Sequence, residues 1–285
     1  MAADGGLATE LEARGHDLSD ALWSARLLAD DPDEVRRAHR AFFRAGSAFA
    51  TTASYQASFE GFAERGVERD GAVALLRRSV QLAREARDEF DGPRWVAASV
   101  GPYGAALADG SEYRGRYGMT ATALQAWHRP RMEVLASAGP DLLALETVPD
   151  VDEAAAMVAA LSGLDTPAWL TYTVESGRTR AGQPMHEAFS LADEVPEVVA
   201  VGVNCCAPDE VPDALAAARE ATGKPLVAYP NSGEHWDPRT GRWGGPVPYS
   251  AERAQRWAAA GARVVGGCCR VGPTEIAAVA EALRP

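Results

Sequence analysis

The sequence contains no run of about 18 apolar residues, so it offers no membrane span. It begins Met-Ala-Ala-Asp-Gly-Gly, without the basic and apolar regions of a signal peptide. No Gly-x-Ser-x-Gly elbow and no Walker loop is present, which argues against serine hydrolases and P-loop enzymes. The five histidines, His16, His39, His128, His186 and His235, lack the paired spacing of a metal site. Basic residues are in deficit: 28 Lys and Arg against 40 Asp and Glu leave a net charge of -12. An acidic surface of this kind repels nucleic acid and anionic membranes, so neither is expected as a partner. There is also no low-complexity segment and no linker rich enough to split the chain. With 285 residues, 47% hydrophobic and 24% charged, the expectation is one soluble, cytoplasmic domain spanning 1–285.

What is there is an alternation. Short, nearly continuous apolar runs, of the kind that form parallel strands buried on both faces, occur at 48–52, 95–100, 142–146, 169–173, 198–203, 226–229 and 263–266. Helical patterns separate them. One starts at Asp31-Pro32-Asp33-Glu34, a cap, a first-turn proline and early acids, and ends near Gly46. Others cover roughly 70–90, 120–138, 151–163, 186–193, 210–222, 250–260 and 273–284. Strands alternating with helices predict an α/β fold on a parallel sheet. Seven strands are one short of a (β/α)8 TIM-type barrel. Only Met1, Ala2 and Ala3 precede Asp4, so the first strand is expected to be short or truncated. A doubly wound open sheet is the alternative, but no Gly-rich nucleotide loop follows any strand. The stretch 229–249, rich in Gly, Pro, Trp and Asn, reads as one long functional loop.

The four cysteines fall in two adjacent pairs, Cys205–Cys206 and Cys268–Cys269, each at the C-terminal end of an expected strand. In a barrel, those ends converge on the face that carries catalysis. Clustered cysteines in a reducing compartment point to metal or catalysis more than to disulfides. Inert burial is the plain alternative, because cysteine also packs as a small hydrophobe. Zinc is the metal thiolates prefer, and three protein ligands with one open position define a catalytic site. Three thiolates around Zn2+ leave a formal charge of −1. That is poor for hydrolysis and suited to binding an incoming thiol as thiolate, which points to alkyl transfer to sulfur.

Several motifs carry a resemblance. Asp4-Gly-Gly-Leu-Ala-Thr-Glu-Leu-Glu-Ala-Arg-Gly15, Val201-Gly-Val-Asn-Cys205 and Gly266-Gly-Cys-Cys-Arg270 resemble the signatures of the homocysteine S-methyltransferase family. Thr52-Ala-Ser-Tyr-Gln56, Ser99-Val-Gly-Pro-Tyr-Gly104, Asp109-Gly-Ser-Glu-Tyr-Arg114, Leu145-Glu-Thr147 and Tyr229-Pro-Asn-Ser-Gly-Glu234 are similar to the same family, in the same order along the chain. The likeness is to its branch using S-methylmethionine or S-adenosylmethionine. It implies a barrel with one Zn2+ held by Cys205, Cys268 and Cys269, the motif leaving Cys206 unassigned. It also implies that Asp4 and Glu146 bind the amino group of homocysteine, with backbone near Gly5 and Gly6 at its carboxylate. In the betaine-using branch a tyrosine follows the matching glutamate, whereas Thr147 stands here.

Further candidates are Thr52 and Ser54 as pocket hydroxyls, and Asn204 and Asn231 as hydrogen-bonding neighbours of the thiolates. Tyr103, Tyr113 and Trp236 are candidate cation–π partners for a sulfonium donor. The expected partners are homocysteine and that donor. Oligomeric state is left open. A non-catalytic zinc or thiol sensor, with Cys206 closing the tetrahedron, is the reading from another class.

Overall fold

The computed structural model describes residues 1–19, 22–237 and 242–284. All seven expected strands form one parallel sheet: β1 (Phe49–Thr51), β2 (Trp95–Val100), β3 (Leu142–Val148), β4 (Ala168–Tyr172), β5 (Val198–Asn204), β6 (Leu226–Tyr229) and β7 (Ala262–Val265). Neighbours in sequence are neighbours in the sheet. The missing barrel strand is supplied by residues 1–3 alone. Val265 N donates to Met1 O at 3.0 Å, Ala3 N to Val265 O at 2.9 Å, and Ala48 N to Ala2 O at 2.7 Å. Three residues therefore pair with β7 on one side and with the start of β1 on the other. That closes the ring and seats Asp4 at the strand's C-terminal end.

Burial explains why the strands read as continuous apolar runs. Every residue of β3 is buried. Leu142 and Ala144 point into the barrel, with Phe49, Trp169, Val227 and Val264, while Leu143 and Leu145 face the helices. Both faces exclude water, so the alternation of a half-exposed strand is absent.

The helix Pro32–Arg44 starts as its sequence indicates. The Asp31 side chain accepts from Glu34 N at 3.4 Å, and Val35, Ala38, Phe42 and Phe43 are buried. The segment 229–249 is not simply a loop: His235–Asp237 pairs antiparallel with Arg242–Gly244. The side chain of Trp236, proposed above for a sulfonium, lies outside the described part. Among the described residues no helix is long and apolar enough to cross a membrane.

Candidate active site

The two cysteine pairs are drawn together by backbone bonds. Cys205 N donates to Tyr229 O at 3.2 Å, and Asn231 N to Cys206 O at 2.9 Å. Cys268 N donates to Pro230 O at 2.8 Å, and Ser232 N to Cys269 O at 3.0 Å. The chain leaving β6 is thus laced to the ends of both β5 and β7. Cys205 sits at φ 51°, a left-handed conformation that is uncommon outside glycine. Gly266 and Gly267 are needed for close approach. A Cβ on Gly266 would stand 2.6 Å from Asp4 O, and one on Gly267 2.2 Å from Val271 Cγ1.

The Sγ atoms of Cys205, Cys268 and Cys269 lie within 4.8 Å of one another, with Cys205 and Cys269 at 3.8 Å. Thiolates placed tetrahedrally at about 2.3 Å from one zinc ion sit about 3.8 Å apart, so the donor set fits such a metal in chemistry and in spacing. Hydrogen bonds from Cys268 and Cys269 hold the Cys205 thiol well below its ordinary pKa, and those two are pushed up in turn. Three sulfurs drawn to one point are what a soft cation would complete. Tyr113 adds its hydroxyl at 3.1 Å from Cys205 Sγ. Cys206 points the other way, into the core, where burial pushes its thiol pKa up.

The two asparagines do different things. Asn231 accepts from Cys269 N at 3.0 Å and also bonds the Cys205 thiol, so it touches the sulfur cluster directly. Asn204 does not. Its Oδ1 accepts from Thr147 N at 2.7 Å and Thr171 Oγ1 at 2.8 Å, and its Nδ2 donates to Thr147 Oγ1 at 2.7 Å. Thr147 is β-branched at φ 58°, a conformation costing roughly 1–3 kcal/mol. Asn204 clamps it there, immediately after Glu146, so its role is to hold a strained strand end.

A cavity of about 500 Å³ opens beside the sulfurs, within the ~300–1,000 Å³ usual for small-molecule sites. Asp4, Glu146, Thr52 and the three cysteines line it. Burial pushes the Asp4 carboxyl up to about 8, against hydrogen bonds from Thr51 N at 2.6 Å and Thr51 Oγ1 at 3.0 Å. Burial likewise pushes Glu146 up to about 7, against hydrogen bonds from Ser99 and Tyr229. Both acids would ionise readily beside an ammonium group.

Two candidates fall elsewhere. Ser54 is outside the lining; its hydroxyl donates to Ser99 O at 2.7 Å, beneath Thr52. Tyr103 packs on Tyr117 and Trp127, with its backbone N–H on Glu153. Tyr113 does line the cavity, with its ring already under Arg180 at 5.5 Å. Sequence reasoning assigned no role to Trp23, Tyr55, Gln56 or Glu112, which all line it. Tyr55, Gln56 and Glu112 stand inside motifs quoted above, and that is the one signal that marked them. Gly101 makes room for Tyr55, since a Cβ there would lie 2.7 Å from its ring.

A parallel barrel whose catalytic face presents three convergent thiols beside buried carboxyls defines a thiol-handling barrel enzyme. The family described as homocysteine S-methyltransferase matches residues 1–283, and the chain belongs to it. Homocysteine S-methyltransferase of Escherichia coli (strain K12) is 46% identical over 97% of this chain and 93% of its own. The YbgG homocysteine S-methyltransferase of Bacillus subtilis (strain 168) is 44% identical over 99% and 94%. The crystal structure of the metallated form of the Escherichia coli homocysteine methyltransferase MmuM superposes with a TM-score of 0.89, at 44% identity, over 99% of this chain and 95% of that one. The chain is thus a methyltransferase with a TIM-type barrel.

Proposed function

We propose that residues 1–285 form one homocysteine-binding barrel domain that transfers a methyl group from S-methylmethionine or S-adenosylmethionine to L-homocysteine, forming methionine. The observation that carries this reading is the convergence of the Cys205, Cys268 and Cys269 thiols on one point of a cavity that also holds Asp4 and Glu146. The names borne by the relatives support it.

Cys205, Cys268 and Cys269 would hold zinc, which when bound supplies a soft Lewis acid that favours an incoming thiol as its thiolate. Asn231 and Tyr113 orient and hydrogen-bond the Cys205 sulfur. Asp4 and Glu146 bind the homocysteine ammonium and so aim its side chain at the sulfurs. Thr52 completes the pocket floor over Ser54. Asn204 keeps Thr147, and with it Glu146, in place. In the transfer, the homocysteine thiol releases its proton to solvent and its sulfur attacks the donor's methyl carbon. The new S–C bond forms as the donor's breaks, and that electron pair remains on the donor sulfur. With S-methylmethionine both products are methionine. Positioning supplies much of the rate.

Thr147, in place of the tyrosine of the betaine-using branch, favours a sulfonium over betaine. Cys206, buried in the core, argues against a closed four-sulfur sensor. Turnover of one zinc-loaded preparation with S-methylmethionine, S-adenosylmethionine and betaine tests the proposal. Methionine is expected from a sulfonium donor, and turnover with betaine alone would overturn the assignment. A cytoplasmic location accords with thiol chemistry of this kind.

A further inference from the structure

The cavity is one-sided in charge. Its described lining includes the carboxyls of Asp4, Glu146 and Glu112 and no lysine, arginine or histidine. Two of these acids have protein partners: Asp4 takes both hydrogen bonds of Thr51, and Glu146 takes those of Ser99 and Tyr229. Glu112 differs. Its Oε2 is buried with no hydrogen-bond partner. Gln56 Oε1 is buried and unpartnered as well, while its Nε2 donates to Ala105 O at 3.2 Å. Both residues meet the same short helix, Tyr103–Leu107. Gln56 bonds Ala105, and the Glu112 backbone packs so tightly on Gly104 that a Cβ there would lie 2.4 Å from Glu112 N. Two acceptors on one cavity wall therefore lack a donor. Leaving such an atom buried and unmet costs about 1–3 kcal/mol, so a ligand bearing N–H groups is the natural complement.

The methyl-transfer reading requires two amino-acid-like molecules in this cavity at once. Asp4 and Glu146 are assigned above to the ammonium group of homocysteine, so the ammonium group of the donor calls for acceptors elsewhere in the cavity. Glu112 is close enough to the Cys205 sulfur to feel its charge. Tyr55, Trp23 and Tyr113 line the same cavity as Glu112, with Trp23 edge-on to Tyr55 at 6.3 Å between ring centres. That wall presents aromatic faces for a sulfonium and unmet acceptors for an ammonium.

We propose that Glu112 and Gln56 form the subsite for the α-ammonium group of the methyl donor, making this enzyme selective for amino-acid sulfonium donors over donors without N–H groups. The inference rests on the methyltransferase function proposed above and adds the residues that choose the donor.

The test uses the zinc-loaded full chain and two donors: S-methylmethionine, and 4-dimethylsulfoniobutanoate, which is S-methylmethionine without its amino group. Glu112→Gln is expected to raise the KM for S-methylmethionine about 10- to 100-fold, the weight of a hydrogen bond to a charged group. The KM for homocysteine and kcat/KM for the des-amino donor are expected to stay within about threefold. Equal loss with both donors, or an equal rise in the KM for homocysteine, would overturn the subsite. If Glu112→Gln proves unfolded by thermal melting, Gln56→Leu takes its place, with a smaller rise confined to S-methylmethionine. Calorimetric binding of S-methylmethionine to wild type and variant reads the same subsite without turnover. Wild type that binds the donor through Glu112 yet methylates no homocysteine would sink the function and leave the subsite standing. Turnover and binding indifferent to both substitutions would do the reverse.

Discussion

The cavity has two kinds of wall. The sulfur wall stands on strand ends: Cys205, Cys268 and Cys269 follow β5 and β7, and main-chain bonds from 229–232 fix all three positions. The other wall comes from loops after β1 and β2, and its Glu112 Oε2 and Gln56 Oε1 have no protein partner. A metal site tolerates little displacement, so main chain holds it before anything binds. An organic ligand brings its own donors, so the wall that receives it keeps acceptors unmet. Asp4 and Glu146 lie between these extremes, on strand ends yet reluctant to ionise when empty.

The sharpest way to break this division is at the sulfurs. Cys268→Ala is expected to remove stoichiometric zinc, measured by metal analysis after dialysis. Turnover should fall by more than the roughly 10–100-fold that follows loss of an outer-shell partner. The melting curve should still show a folded barrel, since Cys268 is only partly buried. A variant that kept both zinc and activity would show that the three-thiol group is not the metal site.

A smaller effect separates the carboxylates from the metal. Glu146→Gln is expected to leave zinc in place and to raise the homocysteine KM about 10- to 100-fold. It also has a pH signature. In the ligand-free chain Asp4 and Glu146 keep their protons up to about pH 8 and about pH 7, whereas unfolded they lose them near the ordinary carboxyl values of 3.8 and 4.5. The folded state then binds more protons between about pH 4 and pH 8, so stability falls as pH rises through that window. Glu146→Gln should flatten the part of the slope below about pH 7, read as Tm against pH. An unchanged slope would mean that Glu146 is ionised in the empty site.

The same division decides what could be read from sequence. Buried parallel strands are written as contiguous apolar runs, so 95–100 and 226–229 were visible to the residue. The cysteine pairs were visible because their partners are adjacent in the chain and end those runs. Residues 1–3 carry no such pattern. Their pairing with Val265 and Ala48 is entirely main-chain, and the side chains of Met1, Ala2 and Ala3 say nothing about it. Asn204 looked like a neighbour of the thiolates because it precedes Cys205, but alternation along β5 turns its amide toward Thr147. Tyr103 and Ser54 fall outside the cavity lining for a similar reason: a place in a loop or at a strand end does not say which side chains face the cavity. The helix Tyr103–Leu107 is too short to show a 3.6-residue period, and Glu112 and Gln56 gain their meaning only from packing against it.

The smallest expected effect lies one residue from the largest. Cys206 follows Cys205 directly, yet its side chain is 1% exposed and packs in the core between the sheet and its helices. Cys206→Ala should therefore leave zinc stoichiometry and methyl transfer unchanged. It removes one sulfur from a close-packed interior, which costs about 1 kcal/mol and a few degrees in Tm. Cys205→Ala should do the opposite, sparing the core and emptying the metal site. The comparison isolates the left-handed turn at Cys205, which sends one sulfur into the cavity and the next into the hydrophobic layer. If Cys206→Ala released zinc, the fourth sulfur would belong to the metal, and the open position on which thiol activation depends would be lost.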